Sequence, residues 1–159
     1  MFNKVLIANR GAIARRIART LRVMGVTSVA VYAEADADSL HVREADEAWP
    51  LGEGSATETY LNQDRLFRII EEADIDAVHP GYGFLSENPD FVERCEAAGV
   101  AFIGPRPHQS TEFGLKHTAR DVAEKADVPL LPGTGLLVDK QSALEAADSI
   151  EYAREVADD

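Results

Sequence analysis

The sequence predicts an α/β protein with a doubly wound, parallel five-stranded sheet and a helical C-terminal extension. Short apolar runs alternate with segments of helical periodicity through about the first 105 of the 159 residues. Two of these runs also lead into turns that contain glycine, as strands do where α/β sheets bind ligands. Strands separated by helices pair in parallel, and right-handed crossovers place the helices on both faces of the sheet.

The first β-α-β unit shows this alternation. The apolar run Lys4–Ala8 predicts a buried strand, and Asn9–Gly11 predicts a turn. A helix is predicted over 12–24, where apolar residues recur at helical spacing, and Gly25 ends it. Residues 28–32 then predict a second buried strand.

The remaining elements follow the same order. Pro50 predicts that the third strand lies at an edge of the sheet, because proline cannot donate to a strand ladder. The other strands are predicted at 48–51, 77–79 and 100–103. The other helices are predicted at 41–45, 63–73, 87–98, 108–114, 117–126 and from 142 onward, with an extended segment at 128–133.

Two helix starts carry specific capping predictions. Ser86 is the expected N-cap of helix 87–98. Ser142 followed by Glu145 has the spacing of a capping box, which predicts that the last helix starts at Ser142. Together the elements predict one domain over 1–114 and a helical extension over 115–159.

Composition and charge exclude several classes of function. The net charge is −12, divided between +6 over residues 1–33 and −18 over residues 34–159, so the acidic part would repel nucleic acid and anionic membrane. The sequence has no apolar run long enough to span a bilayer and no signal-peptide pattern. Cys95 is the single cysteine, which excludes a disulfide framework and predicts a core residue in a reducing, cytoplasmic setting.

The loop His79–Pro89 is the most informative stretch. Gly81 and Gly83 allow close approach of the backbone to a ligand, and Tyr82 between them supplies an apolar ring with a polar tip. A ligand site is the preferred interpretation, and a capped turn without a ligand is the alternative. The turn Asn9–Gly11 lacks a dinucleotide fingerprint, so its structural interpretation is preferred.

Helix 12–24 carries four arginines opposite its apolar face, and no glutamate lies among them. Such a stripe predicts either a solvated face or an interface with an acidic partner or a second copy. Lys116, at the start of a predicted helix, could contact a phosphate, although exposed lysines are common. The stripe consists of Arg15, Arg16, Arg19 and Arg22.

Several motifs together resemble the N-terminal domain of biotin carboxylase, over residues 1 to about 152. They are Val5–Gly11, Asp46–Ala48, Ser55–Leu61, His79–Asn88, Phe102–Pro105 and Gly114–Lys116, in the order and spacing of that family. Phe113–Arg120 with Pro129–Leu137 is most similar to urea carboxylase and its relatives. The resemblance implies a Rossmann-like, pre-ATP-grasp fold over residues 1–114.

The resemblance also implies a reaction and roles for five residues. The family uses ATP, bicarbonate and magnesium to form carboxyphosphate and then carboxylates biotin. Tyr82 and Gly83 would lie at the biotin pocket, and Lys116 would contribute to ATP binding. Arg16 and Arg19 would lie at the dimer interface. No metal-binding or catalytic residue of the family is carried over to this sequence.

Two departures from the family pattern limit this reading. Ala12 stands where the family usually has an acidic residue after Asn-Arg-Gly. The glycine-rich phosphate loop of the family's ATP-grasp domain is also absent from the sequence. We therefore expect an N-terminal fragment that is inactive alone and binds no cofactor tightly.

The expected partners are the ATP-grasp domain, a biotinylated carrier domain and a carboxyltransferase, in a complete enzyme that is a homodimer. Urea is the first expectation for the final carboxyl acceptor, followed by another amide-like compound, pyruvate or an acyl-CoA. Two alternatives from other classes stay open. The chain could be a non-catalytic dimerisation or docking module, or a nucleotide-binding domain that acts alone.

Overall fold

The computed structural model describes residues 1–131, 134 and 137–149. The expected continuation beyond residue 149 and part of the extended segment, 132–133, lie outside the described residues. The five strands are β1 (Lys4–Ile7), β2 (Thr27–Ala33), β3 (Glu47–Gly52), β4 (Ala77–His79) and β5 (Ala101–Phe102). The helices are α1 (Gly11–Met24), α2 (Leu40–Glu44), α3 (Gln63–Glu72), α4 (Pro89–Ala97), α5 (Pro107–Gly114), α6 (Lys116–Lys125) and α7 (Lys140–Ser149).

The sheet is parallel throughout, with the strand order β3-β2-β1-β4-β5. This confirms the predicted fold class, and it places β3 with Pro50 at an edge as expected. The chain leaves β1 toward β2 on one side and later returns to pair β4 on the other side. The strand order therefore reverses between β1 and β4, where open α/β sheets bind their ligands.

Helices cover both faces of the sheet because side chains of β1 alternate between two apolar clusters. Val5 and Ile7 pack with the apolar face of α1, whereas Leu6 packs with α3 and α4. The α3 and α4 residues in that second cluster are Leu66, Ile69, Ile70, Phe91 and Cys95. The predicted burial of Cys95 is thus confirmed.

Helix α1 forms and ends as its sequence predicts. Its apolar residues recur at helical spacing and are buried at Ala14, Ile17 and Leu21. Gly25 ends the helix in the left-handed conformation, with φ at 71°, and its N–H donates to the carbonyl of Arg22 over 3.2 Å. Burial of this stripe against β1 holds the Arg10–Gly11 turn at the carboxyl edge of the sheet.

Two capping predictions are wrong. Helix α4 begins at Pro89 rather than Glu87, and its N-cap is Asn88, whose side chain accepts from the N–H of Phe91 over 2.9 Å. Ser86 instead lies in the preceding turn, where its N–H donates to the carbonyl of Gly83 over 2.9 Å. Pro89 explains the shift, since proline fits the first helical position and disfavours helix before it.

The second wrong cap is at α7, which begins two residues before Ser142. The carboxylate of Asp139 accepts from the N–H of Ser142 over 2.7 Å, and the Ser142 hydroxyl accepts from the N–H of Asp139 over 3.2 Å. This is a capping box in which Ser142 occupies the third helical position rather than the cap. Asp139 matches the cap preference as well as Ser142 does, so spacing alone could not choose between them.

Residues 1–111 form one compact unit, and the chain from residue 112 forms a second. The parallel sheet belongs to the first unit, whereas α6 and α7 belong to the second. The predicted division after residue 114 stays a prediction about domain organisation. Within the described residues, no helix is long and apolar enough to cross a membrane.

Candidate functional site

Two turns meet at the carboxyl edge of the sheet, where the strand order reverses. Asn9 follows β1, and the loop 80–84 follows β4. The Asn9 side chain is buried, and its Nδ2 donates to the carbonyls of Pro80 over 2.7 Å and Tyr82 over 2.8 Å. The β1 turn therefore holds the β4 loop directly. The sequence favoured a structural role for this turn but did not predict which segment it contacts.

The loop backbone needs its glycines. Gly81 has φ at 66° and Gly83 has φ at 64°, both in the left-handed region that glycine adopts without strain. A side chain at Gly81 would also bring its Cβ within 2.7 Å of Asn9 Nδ2. The Gly81 N–H donates to Nδ1 of His79 over 3.0 Å, and burial lowers the pKa of His79. The neutral imidazole can therefore accept this bond.

Tyr82 and Gly83 are both exposed, and the Tyr82 side chain retains 69% of its accessible surface. A large aromatic ring this exposed contributes little to the core, so its presence on a tightly held loop favours a contact with something outside this unit. The predicted ligand loop is thus held by hydrogen bonds from Asn9 and presents Tyr82 outward.

The loop has a second support that the sequence did not predict. Phe84, with φ at 45°, stacks on Tyr60 with ring centroids 5.3 Å apart and planes inclined by 14°. The Tyr60 hydroxyl donates to Oδ2 of Asp36 over 2.6 Å and accepts from the N–H of Ala33 over 3.0 Å. Tyr60 is buried, and the loss of hydration raises its pKa to about 12.

Arg10 completes this support as an ion pair. Its Nε donates to Oδ2 of Asp36 over 2.7 Å, and its Nη2 donates to Oδ1 of the same carboxylate. The hydrogen bonds from Arg10 hold the pKa of Asp36 below its usual value, against the opposing effect of burial. Three distant positions, Arg10, Asp36 and Tyr60, thus form one network beside the loop. No local pattern in the sequence could have joined them.

The arginine stripe of α1 is paired more fully than the sequence predicted. Glu44, at the end of α2, accepts from Nε of Arg15 over 2.7 Å and from Nε of Arg19 over 3.3 Å. Its backbone carbonyl accepts from Arg22. The hydrogen bond from Arg15 is the main cause that lowers the pKa of Glu44. The stripe has no glutamate on its own helix, but Glu44 of another helix pairs with Arg15 and Arg19.

Arg16 and Arg22 have no ion pair among the described residues, and both are exposed. Arg22 still donates to the backbone carbonyl of Glu44, whereas among the same residues no hydrogen bond joins Arg16 to Glu44. A groove of about 780 Å³ runs along this side of α1 and α2. Its lining residues are Gly11, Ala12, Arg15, Arg16, Arg19, Thr20, Ser39, Leu40 and His41. The site expected for an interface is therefore a partly neutralised, partly open basic surface.

Lys116 belongs to the second unit, where it is exposed at the start of α6. It lines a cavity of about 620 Å³ with His117, Arg120 and Leu130. Arg120 donates to the carbonyl of Leu131 over 3.0 Å, which links α6 to the segment after it. Across the described residues, no group of three or more His, Cys, Asp or Glu side chains could hold a metal ion.

Residues 1–109 match the family described as the N-terminal domain of biotin carboxylase. The chain belongs to this family. A biotin carboxylase of Halalkalibacterium halodurans is 46% identical over 153 residues, which are 96% of this chain and 34% of that protein. A urea amidolyase of Lachancea kluyveri is also 46% identical, over 95% of this chain and 8% of its own length. The resemblance found in the sequence is confirmed.

Solved structures of the biotin carboxylase family have the same fold. The biotin carboxylase domain of Hydrogenobacter thermophilus 2-oxoglutarate carboxylase, a dimer in complex with MgADP, ADP and bicarbonate, superposes with a TM-score of 0.85. It is 41% identical, and the match covers 96% of this chain and 34% of that domain. The chain thus spans about a third of the length of the biotin carboxylase relatives that it matches.

Proposed function

We propose that this chain supplies the N-terminal part of a biotin carboxylase, in which ATP and bicarbonate carboxylate biotin with magnesium as the metal cofactor. One observation carries the proposal: the family's loop, from His79 to Asn88, lies at the strand-order reversal and presents an exposed Tyr82. Two supports, Asn9 beneath the loop and Tyr60 beside it, hold that loop in place.

Tyr82 and Gly83 are the proposed contacts to biotin. The exposed phenol offers an apolar ring and a hydroxyl, and Gly83 leaves its backbone open to close approach. These features suit a small bicyclic ligand with a polar ureido edge. They form one wall of a site, and we propose that the rest of a biotin carboxylase supplies the other wall.

Lys116 is the proposed contact to ATP. Lys116 is exposed and lines a cavity, and its ammonium group can act as a point charge toward a phosphate. It is the sole residue of this sequence to which the resemblance assigns a role toward ATP. Transfer of a phosphoryl group needs several charges around the γ-phosphate, so Lys116 alone would bind a nucleotide weakly.

The biotin contact is testable by nuclear magnetic resonance on the 159-residue chain. Biotin at about 10 mM, the scale of a weak single-wall site, should shift the amide resonances of Tyr82 and Gly83. Tyr82→Ala should remove the response, whereas Tyr32→Ala, on β2, should leave it unchanged. A response that persists in Tyr82→Ala, or none in the wild type, would contradict the proposed biotin contact.

A basic face on α1 favours a second candidate, a docking or dimerisation module. Arg16 is exposed and has no ion pair among the described residues, and Arg19 shares Glu44 with Arg15 at a longer distance. The strong negative charge elsewhere on the chain makes a second copy a suitable partner. In a complete biotin carboxylase, the same two residues would lie at the homodimer interface.

Sedimentation analysis tests this interface through charge reversal. Arg16→Glu with Arg19→Glu should abolish self-association, or docking on a biotin carboxylase, by placing acids in an acidic contact. Arg68→Glu is the control, since Arg68 is exposed on α3 and has no ion pair in the described part of the chain. Unchanged association in the double variant would exclude the interface.

Nothing in the first unit favours the third candidate, a nucleotide-binding domain that acts alone, since its β1 turn lacks the glycine fingerprint. Calorimetry with ATP, ADP and NAD distinguishes this candidate from the first two, and we expect the chain to bind these nucleotides weakly or not at all. Identity to a biotin carboxylase and to a urea amidolyase is equal, so the final acceptor follows from other domains. We propose urea first, with another amide-like compound, pyruvate or an acyl-CoA as alternatives.

A further inference from the structure

Both polar atoms of the Asn9 side-chain amide form hydrogen bonds, the nitrogen to the loop after β4 and the oxygen to its own turn. The side chain is only 3% exposed, and Nδ2 donates both of its protons, one to the carbonyl of Pro80 and one to the carbonyl of Tyr82. Its Oδ1 accepts from the N–H of Arg10 over 2.9 Å. The two acceptor carbonyls flank Gly81, so one nitrogen holds both sides of the residue at which the loop turns.

The strands do not need this contact in order to pair. β1 and β4 are already joined through three paired positions, and the N–H of Ala8 donates to the carbonyl of His79 over 3.0 Å. Asn9 acts beyond the end of that ladder, on a loop in which two glycines make several backbone conformations accessible. The absence of a side chain at Gly81 is what allows Asn9 to approach, since a Cβ there would lie 2.7 Å from Nδ2.

We propose that Asn9 is the positioning residue of the biotin loop, which fixes Tyr82 and Gly83 in their binding conformation without touching the ligand. The proposal rests on the biotin contact proposed above. With the carbonyls of Pro80 and Tyr82 bound to Asn9, the Tyr82 side chain stays outside the core with 69% of its surface exposed. Preorganisation of this kind lowers the entropy that a ligand must overcome on binding.

Asn9→Asp is the decisive variant, because it keeps the shape and the acceptor for Arg10 but replaces two donors with an anionic oxygen. Amide hydrogen exchange at Gly81 and Ser86, whose N–H groups are hydrogen-bonded within the loop, should become about tenfold faster or more, the scale of losing buried hydrogen bonds. The exchange rate at core amides such as Val29 should stay at its wild-type value. Asn88→Asp is the matched control, since Asn88 acts on Phe91 only as an acceptor.

Two exchange results would overturn the proposal. One is unchanged exchange at Gly81 and Ser86 in Asn9→Asp. The other is an equal acceleration at Val29, which would mean that Asn9 acts only on global stability. If Asn9→Asp does not fold, Asn9→Ser retains one donor and should give an intermediate, local acceleration, and no local change in it would count equally against the proposal.

Biotin titration of the same variants separates this proposal from the proposed function. A wild-type response at Tyr82 that is lost in Asn9→Asp supports both. An equal response in the wild type and in Asn9→Asp overturns the positioning role. If the wild type shows no response while local exchange rises in Asn9→Asp, the biotin contact fails but the hold of Asn9 on the loop is upheld.

Discussion

At the scale of single residues, the carboxylate of Asp36 connects the turn after β1, through Tyr60, to the loop after β4. It accepts from Arg10 and from the Tyr60 hydroxyl, and the Tyr60 ring stacks on Phe84 of the loop 80–84. The carboxylate is mostly buried, so each donor offsets part of the cost of removing that charge from water. Loss of one donor should therefore cost more than an average hydrogen bond.

Tyr60→Phe tests this network. The substitution removes one donor to Asp36 and leaves the N–H of Ala33 without its partner, which should cost about 1–3 kcal/mol of unfolding free energy. Tyr32→Phe is the control and should cost less than about 0.5 kcal/mol, since no hydrogen bond of the Tyr32 hydroxyl occurs within the described residues. Urea denaturation measures both, and equal losses would contradict the network.

The buried imidazole of His41 predicts a pH dependence of stability. Burial is the main cause that lowers its pKa, so the folded state favours the neutral ring. The unfolded chain takes up more protons as the pH falls below about 6.5, and folding stability is lost in that direction. His79 has a lowered pKa too, so removal of one ring should reduce the effect without abolishing it.

Urea denaturation at about pH 7.5 and about pH 5.5 brackets the ordinary histidine pKa and measures this effect. We expect a smaller loss of stability on acidification in His41→Gln than in the wild type. His108→Gln changes an exposed ring on α5 and should retain the wild-type loss. If His41→Gln loses as much stability on acidification as the wild type does, His41 does not contribute to the pH dependence.

At the scale of elements, the sequence predicted those features of helices and strands that depend on neighbouring residues alone. The apolar face of α1, the end of that helix at Gly25 and the edge position of Pro50 all follow from residue spacing or backbone chemistry. Helix starts were less certain where several cap residues lie close together. Ser86 and Asn88 both suit a cap, and Pro89 decides between them.

Alanine substitution distinguishes the two candidate caps of α4. Asn88→Ala should lower the unfolding free energy by about 1 kcal/mol, because the N–H of Phe91 loses its acceptor. Ser86→Ala should change it by less than about 0.5 kcal/mol, as for an ordinary surface position. Denaturant unfolding of both variants is the measurement, and the reverse order would contradict the assigned cap.

Contacts between distant elements could not be predicted in the same way. The sequence has no glutamate among the four arginines of α1, but α2 brings Glu44 against Arg15 and Arg19. It also favoured a purely structural role for the Asn9 turn, because no glycine fingerprint is present there. Only the pairing of β1 with β4 brings Asn9 beside the Tyr82 loop, and that neighbour depends on the topology of the whole sheet.

At the scale of the whole molecule, the chain belongs to the biotin carboxylase family and spans about a third of its biotin carboxylase relatives. The proposed biotin wall lies on the first unit, and the proposed ATP contact, Lys116, lies on the second. Each of these two proposed contacts would form only part of its own binding site. We therefore expect the 159-residue chain, tested alone, to show no biotin-dependent ATP turnover.

The most direct test of this account is ADP release by a chimera. Residues 1–152 of this chain would replace the matching third of the Halalkalibacterium halodurans biotin carboxylase. We predict ADP release that depends on both biotin and bicarbonate, is lost in Tyr82→Ala and persists in Tyr32→Phe. A folded chimera whose ADP release does not respond to biotin, or is the same in Tyr82→Ala, would contradict the account.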